Sequence, residues 1–458
     1  MSFHSLAGLV VLNAFLLTVG LAIVYGLRGL ATWAEAARLA GLAYLLAVAG
    51  VGVALVGELV VGIDLSLASV LVTGLVLGGA GVLAGRRLGR ASPSRPRPRV
   101  PRLDPVTAVG AALTAVYFEA LFRSGRLAGL YEFDGWAFWI PKAKAIYSFG
   151  GLDEQLFREL PGQSYPPLVP ALEATAFHFM GAADEVTLHL QFWFLLVGFA
   201  AAAIGLLAGR VPRLLAWSPL LAVLVTPHVI VYALQVQGDF LLDELFAVAA
   251  LLVALWLTDR QPWQLVCAGI LLAGAMSTKR EGYLFTACLV FAALVAAVPH
   301  HRKAWPQLVA LGVVAAALTV PWRVLLVVRD LSGGGAEAGG TGLFSHLDRV
   351  WPSFRLALSA LFDYDIWLVT APVAFVAVGV AVLAGAWRLA AFAVVLFVAL
   401  LAGFTWITWS FPSLPITKDA ALNPIVRATG GFVLVSATLV PVLLGAAWTA
   451  YDKRRPTP

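Results

Sequence analysis

Apolar runs of about 20 residues recur along the chain between short polar breaks, and this pattern predicts membrane-spanning helices. Thirteen spans are expected, near 6–27, 36–57, 65–85, 106–122, 187–209, 214–234, 240–257, 263–277, 283–298, 306–328, 366–385, 390–408 and 429–449. One division rests on a polar break. The stretch 263–298 is too long for a single span, and Ser277-Thr278-Lys279-Arg280-Glu281-Gly282 interrupts it midway. The first run has no basic flank before it and no clear cleavage site, so it is expected to be retained, not removed as a signal peptide.

Charge then orients the spans. The segment 86–102 carries seven arginines and four prolines. With that linker cytoplasmic, alternation puts 18 of the 31 basic residues on the same side, including Lys453-Arg454-Arg455. Only Glu35, Asp104, Asp259 and Asp452 join them there. Reading 263–298 as one span would expel His301-Arg302-Lys303 and the basic tail, against the positive-inside tendency. Thirteen spans are therefore expected, with the N-terminus outside and the C-terminus inside. The long connections, near 123–186, 329–365 and 409–428, then lie on the non-cytoplasmic face with most of the acids.

Composition removes whole classes of function. Of the 458 residues 61% are hydrophobic and 12% charged, with mean hydropathy +0.89. A soluble domain carries about 25% charge, so a water-soluble enzyme, a nucleic-acid binder and a disordered chain are excluded together. The net charge of +6 reports topology before it reports ligands. Cys267 and Cys288 sit inside apolar runs without metal-ligand spacing and are read as buried hydrophobes. The expected cytoplasmic loops are too short for a nucleotide-binding domain, and none bears a P-loop.

Several charged or aromatic positions need a reason. The fourth span is followed by Tyr131-Glu132-Phe133-Asp134-Gly135-Trp136-Ala137-Phe138-Trp139. Its aromatics suit an interfacial belt, or sugar stacking together with Tyr165. Ser164-Tyr165-Pro166-Pro167-Leu168-Val169-Pro170 is expected to be extended, as a cleft wall or a stiff connector. Asp239 and Asp243 are four apart at the start of the seventh span, hence on one helix face; either they cap that helix or they serve a site. Lys279 and Arg280 sit in a recessed turn and require an anion: Glu281, another protein acid, or a phosphate. Arg427 is another outer-edge cation, suited to a phosphate or to snorkelling. The histidines, including His178, His189 and His228, lack metal-site spacing and are read as structural.

In order and sidedness these motifs resemble the GT-C superfamily of membrane glycosyltransferases, which includes protein O-mannosyltransferases and lipid A aminoarabinose transferases. Glu132-Phe133-Asp134 is similar to the acidic motif of that family's first outer loop. Gly238-Asp239 resembles the small-residue–Asp of the second. Thr278-Lys279-Arg280-Glu281-Gly282 resembles a Thr-Lys-x-Glu-Gly segment of bacterial members. The likeness covers 105–300 by motif and 301–458 by topology, while the three spans of 1–85 match nothing in it.

The resemblance implies an all-α polytopic fold with about 13 transmembrane helices. Within it are expected a three-span extension (1–85), an Arg/Pro linker (86–104), a catalytic core (105–300) and a C-terminal transmembrane region (301–458), with short helices in the outer loops. It implies transfer of a sugar from a polyprenyl-phosphate donor to a membrane glycan, glycolipid or protein acceptor, in cell-envelope synthesis at the outer face of the cytoplasmic membrane. Asp134 is expected as general base in an inverting displacement, with Glu132 and Asp239 beside it. Lys279, Arg280 and Arg427 would hold the leaving phosphate, and Trp136, Trp139, Tyr165 and Glu281 the sugar or acceptor. Glu132 or Asp239 could instead hold a divalent cation; no other cofactor and no nucleic-acid partner is expected. The Gly-rich stretch 332–342 suits a gate or a plain linker. A secondary transporter or flippase of lipid-linked sugars is the alternative, and a non-catalytic scaffold a further one.

Overall fold

A computed structural model describes residues 2–92, 104–298, 302–331, 346–410, 415–417 and 425–452. The linker from 93 to 103, the Gly-rich stretch 332–342, Lys418, Asp419 and the basic tail lie outside the described residues. Those described are helical, with no β-strand among them. In chain order, the helices that frame the site are α1 (Phe3–Arg28), α2 (Ala40–Val60), α3 (Leu67–Arg87), α4 (Pro105–Gly125), α5 (Ile140–Phe149), α6 (Leu168–Met180) and α7 (Glu185–Leu207). They continue with α8 (Gly238–Asp259), α9 (Pro262–Thr278), α10 (Glu281–Ala297), α11 (Trp387–Ser410) and α12 (Gly430–Asp452).

Eight helices of 21 to 28 residues are long and apolar enough to cross a bilayer: α1 to α4, α7, α8, α11, and α12 with the turn before it. A ninth crossing arises if Arg302–Ala317 and Val320–Val328, bent by 41° at their junction, count as one. The remaining expected spans fall on shorter apolar helices: Arg213–Leu224, α9, α10 and Thr370–Leu383. The molecule is thus a polytopic helical membrane protein. The sixth run breaks after Leu224, and Pro227, which cannot continue a helix, opens the next one; Pro219 is accommodated inside Arg213–Leu224.

Helix α8 is the axis of the bundle and is buried along nearly its whole length. A helix apolar along nearly its whole length must be enclosed by others, and α8 packs closely against both α9 and α12. The first three spans join this core through α2, which lies against α7 and α9. A buried polar triangle locks α1, α2 and α7 together. Tyr44 donates to Asn13 Oδ1 at 2.6 Å, Asn13 donates to Gln191 Oε1 at 3.0 Å, and Gln191 donates to the Tyr44 hydroxyl at 3.0 Å. Each group finds a partner, as buried polar groups must.

Short helices occupy the long connection between α4 and α7, and α6 there is almost wholly buried. Residues 164–170 are not extended throughout. Helix α6 begins at Leu168, and Pro170 falls in its first turn, where a missing N–H does no harm. Both cysteines are buried and unpaired with each other.

Candidate functional site

The site is built where α8 begins, α9 ends, α10 begins and the final span begins, so four segments meet at one end of the bundle. The first loop joins them through a wide π-helical turn, Gly135–Trp139, that runs from Asp134 into α5. Glu132 anchors this loop. Its Oε1 accepts the Val236 N–H at 2.5 Å and its Oε2 accepts the Tyr131 N–H at 3.2 Å. His189 Nε2 stands 3.8 Å from the same carboxylate. Glu132 therefore ties the connection after α4 to the residues preceding α8, which sets Asp134 beside Gln237 and, through Arg427, near Asp239.

From there acids and cations alternate. Arg427 pairs with Asp134 Oδ2, reaches Gln237 Oε1 at 3.3 Å and lies 3.8 Å from Asp239 Oδ2. Asp239 Oδ1 accepts from Lys279 Nζ at 2.7 Å, and Lys279 in turn stands 3.5 Å from Glu281. Lys279 is 3% exposed. A cation so enclosed is tolerated because its acids are present, and removing one partner is far costlier than never having built the pair. The Lys279 ammonium sits 5.3 Å from the Tyr165 ring centroid and the Arg280 guanidinium 5.9 Å, within cation–π range.

Tyr165 stacks on Trp139 with centroids 5.6 Å apart and planes 10° from parallel. Burial pushes its hydroxyl up to about 12, so it stays a proton donor at neutral pH. Trp139 itself is 1% exposed and packs beneath the start of α8, whereas Trp136 lies at the exposed rim against the edge of Phe133. Of the expected sugar-binding aromatics, Tyr165 touches the cations, Trp139 supports it and Trp136 faces outward.

Two close approaches hold the cations in place. A Cβ on Gly282 would lie 2.4 Å from the Ala275 carbonyl, so only glycine lets α10 turn this tightly away from α9. A Cβ on Gly430 would lie 2.5 Å from Asp243 Oδ2, which lets α12 close over α8 just after Arg427. Asp243 is buried one turn below Asp239. Both line two voids of about 10 Å³ each, one bounded also by His228 and Trp367, the other by Lys279 and Glu281. Each void is close to the volume a single water requires. A larger ligand binds only if the paired side chains separate.

Asp134, Arg427, Asp239, Lys279 and Glu281 thus meet in one chain of contacts, and Arg280 joins it through the Tyr165 ring, whereas Glu132 is held apart by the Val236 and Tyr131 N–H groups. Sequence reading missed the amide of Gln237, the enclosure of Asp243, and the stack of His228 on Tyr232 with Trp367 edge-on to the same imidazole. The Gly430-Gly431 pair at the head of the last span was a signal for the second of these. His178 and His189 each meet a backbone carbonyl, Leu65 O and Glu185 O respectively. Among the described residues no three His, Cys, Asp or Glu side chains gather as a metal site. Glu132 is engaged by backbone N–H groups, Asp134 by Arg427 and Asp239 by Lys279, a donor set that does not fit a divalent ion without rearrangement. Comparison of the chain with protein-family models, curated proteins and solved structures finds no match.

Proposed function

We propose that this protein is a GT-C-type glycosyltransferase, carrying a sugar from a polyprenyl-phosphate donor to an acceptor hydroxyl at the non-cytoplasmic face of the cytoplasmic membrane. On this reading the short apolar helices complete thirteen spans and the charged end of the bundle faces outward. One observation carries the proposal: the unbroken contact chain Asp134–Arg427–Asp239–Lys279–Glu281, assembled from four segments far apart in sequence.

Arg427 and Lys279, with Arg280 behind Tyr165, suit the phosphate of the donor. To receive it, Arg427 turns from Asp134 toward the phosphate oxygens, and the freed Asp134 carboxylate faces the acceptor. The acceptor oxygen attacks the anomeric carbon, the bond from that carbon to the phosphate oxygen breaks, and the acceptor proton passes to Asp134. Polyprenyl phosphate leaves with its charge held by the cations, commonly the largest part of catalysis. Attack opposite the leaving group inverts the anomeric centre. Asp239 holds both cations in register, and no step calls for a metal.

A transporter of lipid-linked sugars is the second reading, and one observation favours it. Glu244 is fully buried on α8, with neither carboxylate oxygen hydrogen-bonded, and buried acids of this kind line pathways in transporters. One assay separates the two. Purified protein in lipid nanodiscs is given polyprenyl-phospho-sugar donors and candidate acceptors, with Asp134→Asn as the variant. Loss of a general base predicts a fall in transfer of about 10²–10⁴-fold. Equal transfer by both proteins removes Asp134 from the mechanism, and donor flipping in vesicles without transfer favours the transporter.

A further inference from the structure

A cleft of about 1050 Å³ lies at the other end of the bundle. It is lined by Arg38, Arg90, Arg210, Arg28 and Asp259 at its rim, next to Trp263. The distance follows from α8. Asp239 is near its start and Asp259 is its last residue, 20 residues on, which at 1.5 Å per residue is about 30 Å, one hydrocarbon thickness. The cleft and the acid–cation site therefore open at opposite membrane faces.

The rim carries more positive charge than its acids match. Arg210 pairs with Asp259 at 2.7 Å, and Arg28 pairs with Glu35 at 2.5 Å while lying 5.1 Å from the Trp263 ring centroid. Arg38 is 3.8 Å from the same Glu35 and reaches the Ala208 carbonyl at 3.4 Å. Burial first, and then the nearby Arg28 and Arg210, hold the Arg38 guanidinium below its usual range against the pull of Glu35. The Leu30 N–H bonds to Ala91 O at 2.8 Å and fixes the backbone beside exposed Arg90 at the cleft. Four arginines thus face two carboxylates.

The walls are apolar. Leu77, Ala80, Gly81, Ala84 and Leu88 form a stripe down α3, and Val266 faces it from α9. Leu88 and Val266 are 63% and 46% exposed. An apolar groove about one membrane thickness from the opposite face, capped by arginines, matches a molecule with acyl chains and an anionic head. Basic pockets between helices on the cytoplasmic side bind such head groups.

We propose that this cleft is a binding site for an anionic phospholipid, its phosphate held by Arg38 and Arg90 with Arg28 and Arg210 behind, and its chains lying along α3. The site is independent of the transferase reading and stands on its own groups.

Full-length protein is freed of lipid in detergent, and binding of phosphatidylglycerol, phosphatidylcholine and glycerol phosphate is measured by native mass spectrometry. Phosphatidylglycerol is expected to bind in preference to phosphatidylcholine. Each arginine removed is expected to weaken binding about fivefold, so R38A/R90A loses about 25-fold. Arg123→Ala, on an exposed helix face at the opposite end, leaves it unchanged. Ala84→Trp fills the groove with all four arginines intact and is expected to abolish binding, and it decides the matter should R38A/R90A fail to fold. Equal binding of the two lipids, glycerol phosphate binding as tightly as the whole lipid, or full binding to Ala84→Trp would overturn the proposal.

Discussion

The two ends of the bundle handle charge in opposite ways. At the α8 start, Lys279 is enclosed and Arg427 half-buried, and each touches more than one acid. At the α8 end, Arg28, Arg38 and Arg210 share Glu35 and Asp259, and exposed Arg90 stands beside them around an open cleft. Enclosed charges must be matched within the protein because desolvation is costly. Rim arginines need no such match, since water solvates them and an anionic head group can supply the counter-charge. The contrast shows where a ligand must displace protein contacts and where it can simply add them.

The strongest way to break this contrast is to remove the shared acid. Asp239→Ala leaves enclosed Lys279 and half-buried Arg427 without their bridge, and a loss of about 3–5 kcal/mol is expected in thermal or denaturant unfolding. The double variant Asp239→Ala with Lys279→Met should recover a large part of that loss. If Asp239→Ala is no worse than a rim substitution, the two ends do not differ as described.

A smaller effect is expected at the tight turn that presents Lys279. Gly282→Ala places a methyl group 2.4 Å from the Ala275 carbonyl, and overpacking of that kind costs about 1–3 kcal/mol. Unchanged stability would show that α9 and α10 can move apart freely.

Alkaline pH sharpens the comparison through Tyr165, whose hydroxyl is raised by burial from its ordinary 10 to about 12. A raised value means the folded state resists ionisation more than the unfolded chain does. The stabilising share of Tyr165 is therefore intact below pH 10 and declines as pH rises through about 12. Tyr165→Phe should lack that portion of the alkaline decline. Superimposable pH profiles for the two proteins would count against an enclosed hydroxyl.

Least affected should be the rim. Arg38→Ala is expected to change stability by about 0–1 kcal/mol, as partly exposed pairs do, even while it weakens anionic-lipid binding. Unfolding curves and lipid titrations on the same preparation check both halves. A stability loss rivalling that of Asp239→Ala would erase the distinction between the ends.

How much could be read beforehand follows the same physics. A charge inside an apolar run is conspicuous because hydrocarbon excludes it, so Asp239, Lys279 and Arg427 stood out and topology grouped them at one end. Their individual partners did not, because Asp134 and Arg427 pair across 293 positions, and no local pattern encodes that contact. A helix cap is one of the two readings the sequence allows for Asp243, but its enclosure by Gly430 and Gly431 depends on how α12 packs. The shorter helices α9 and α10 were bounded well by the Ser277–Gly282 break. Pro227, which opens the helix after the break in the sixth run, is plain in the sequence, but the apolar residues on both sides of it read as one continuous span.

The most direct test of the site is a double-mutant cycle on Asp134→Asn and Arg427→Gln, read by unfolding in a single detergent. Residues in one ion-pair network couple by about 0.5–3 kcal/mol, whereas distant residues add. A coupling of about 1 kcal/mol or more is predicted; single-variant effects that simply sum would contradict the convergence of the first loop and the last span.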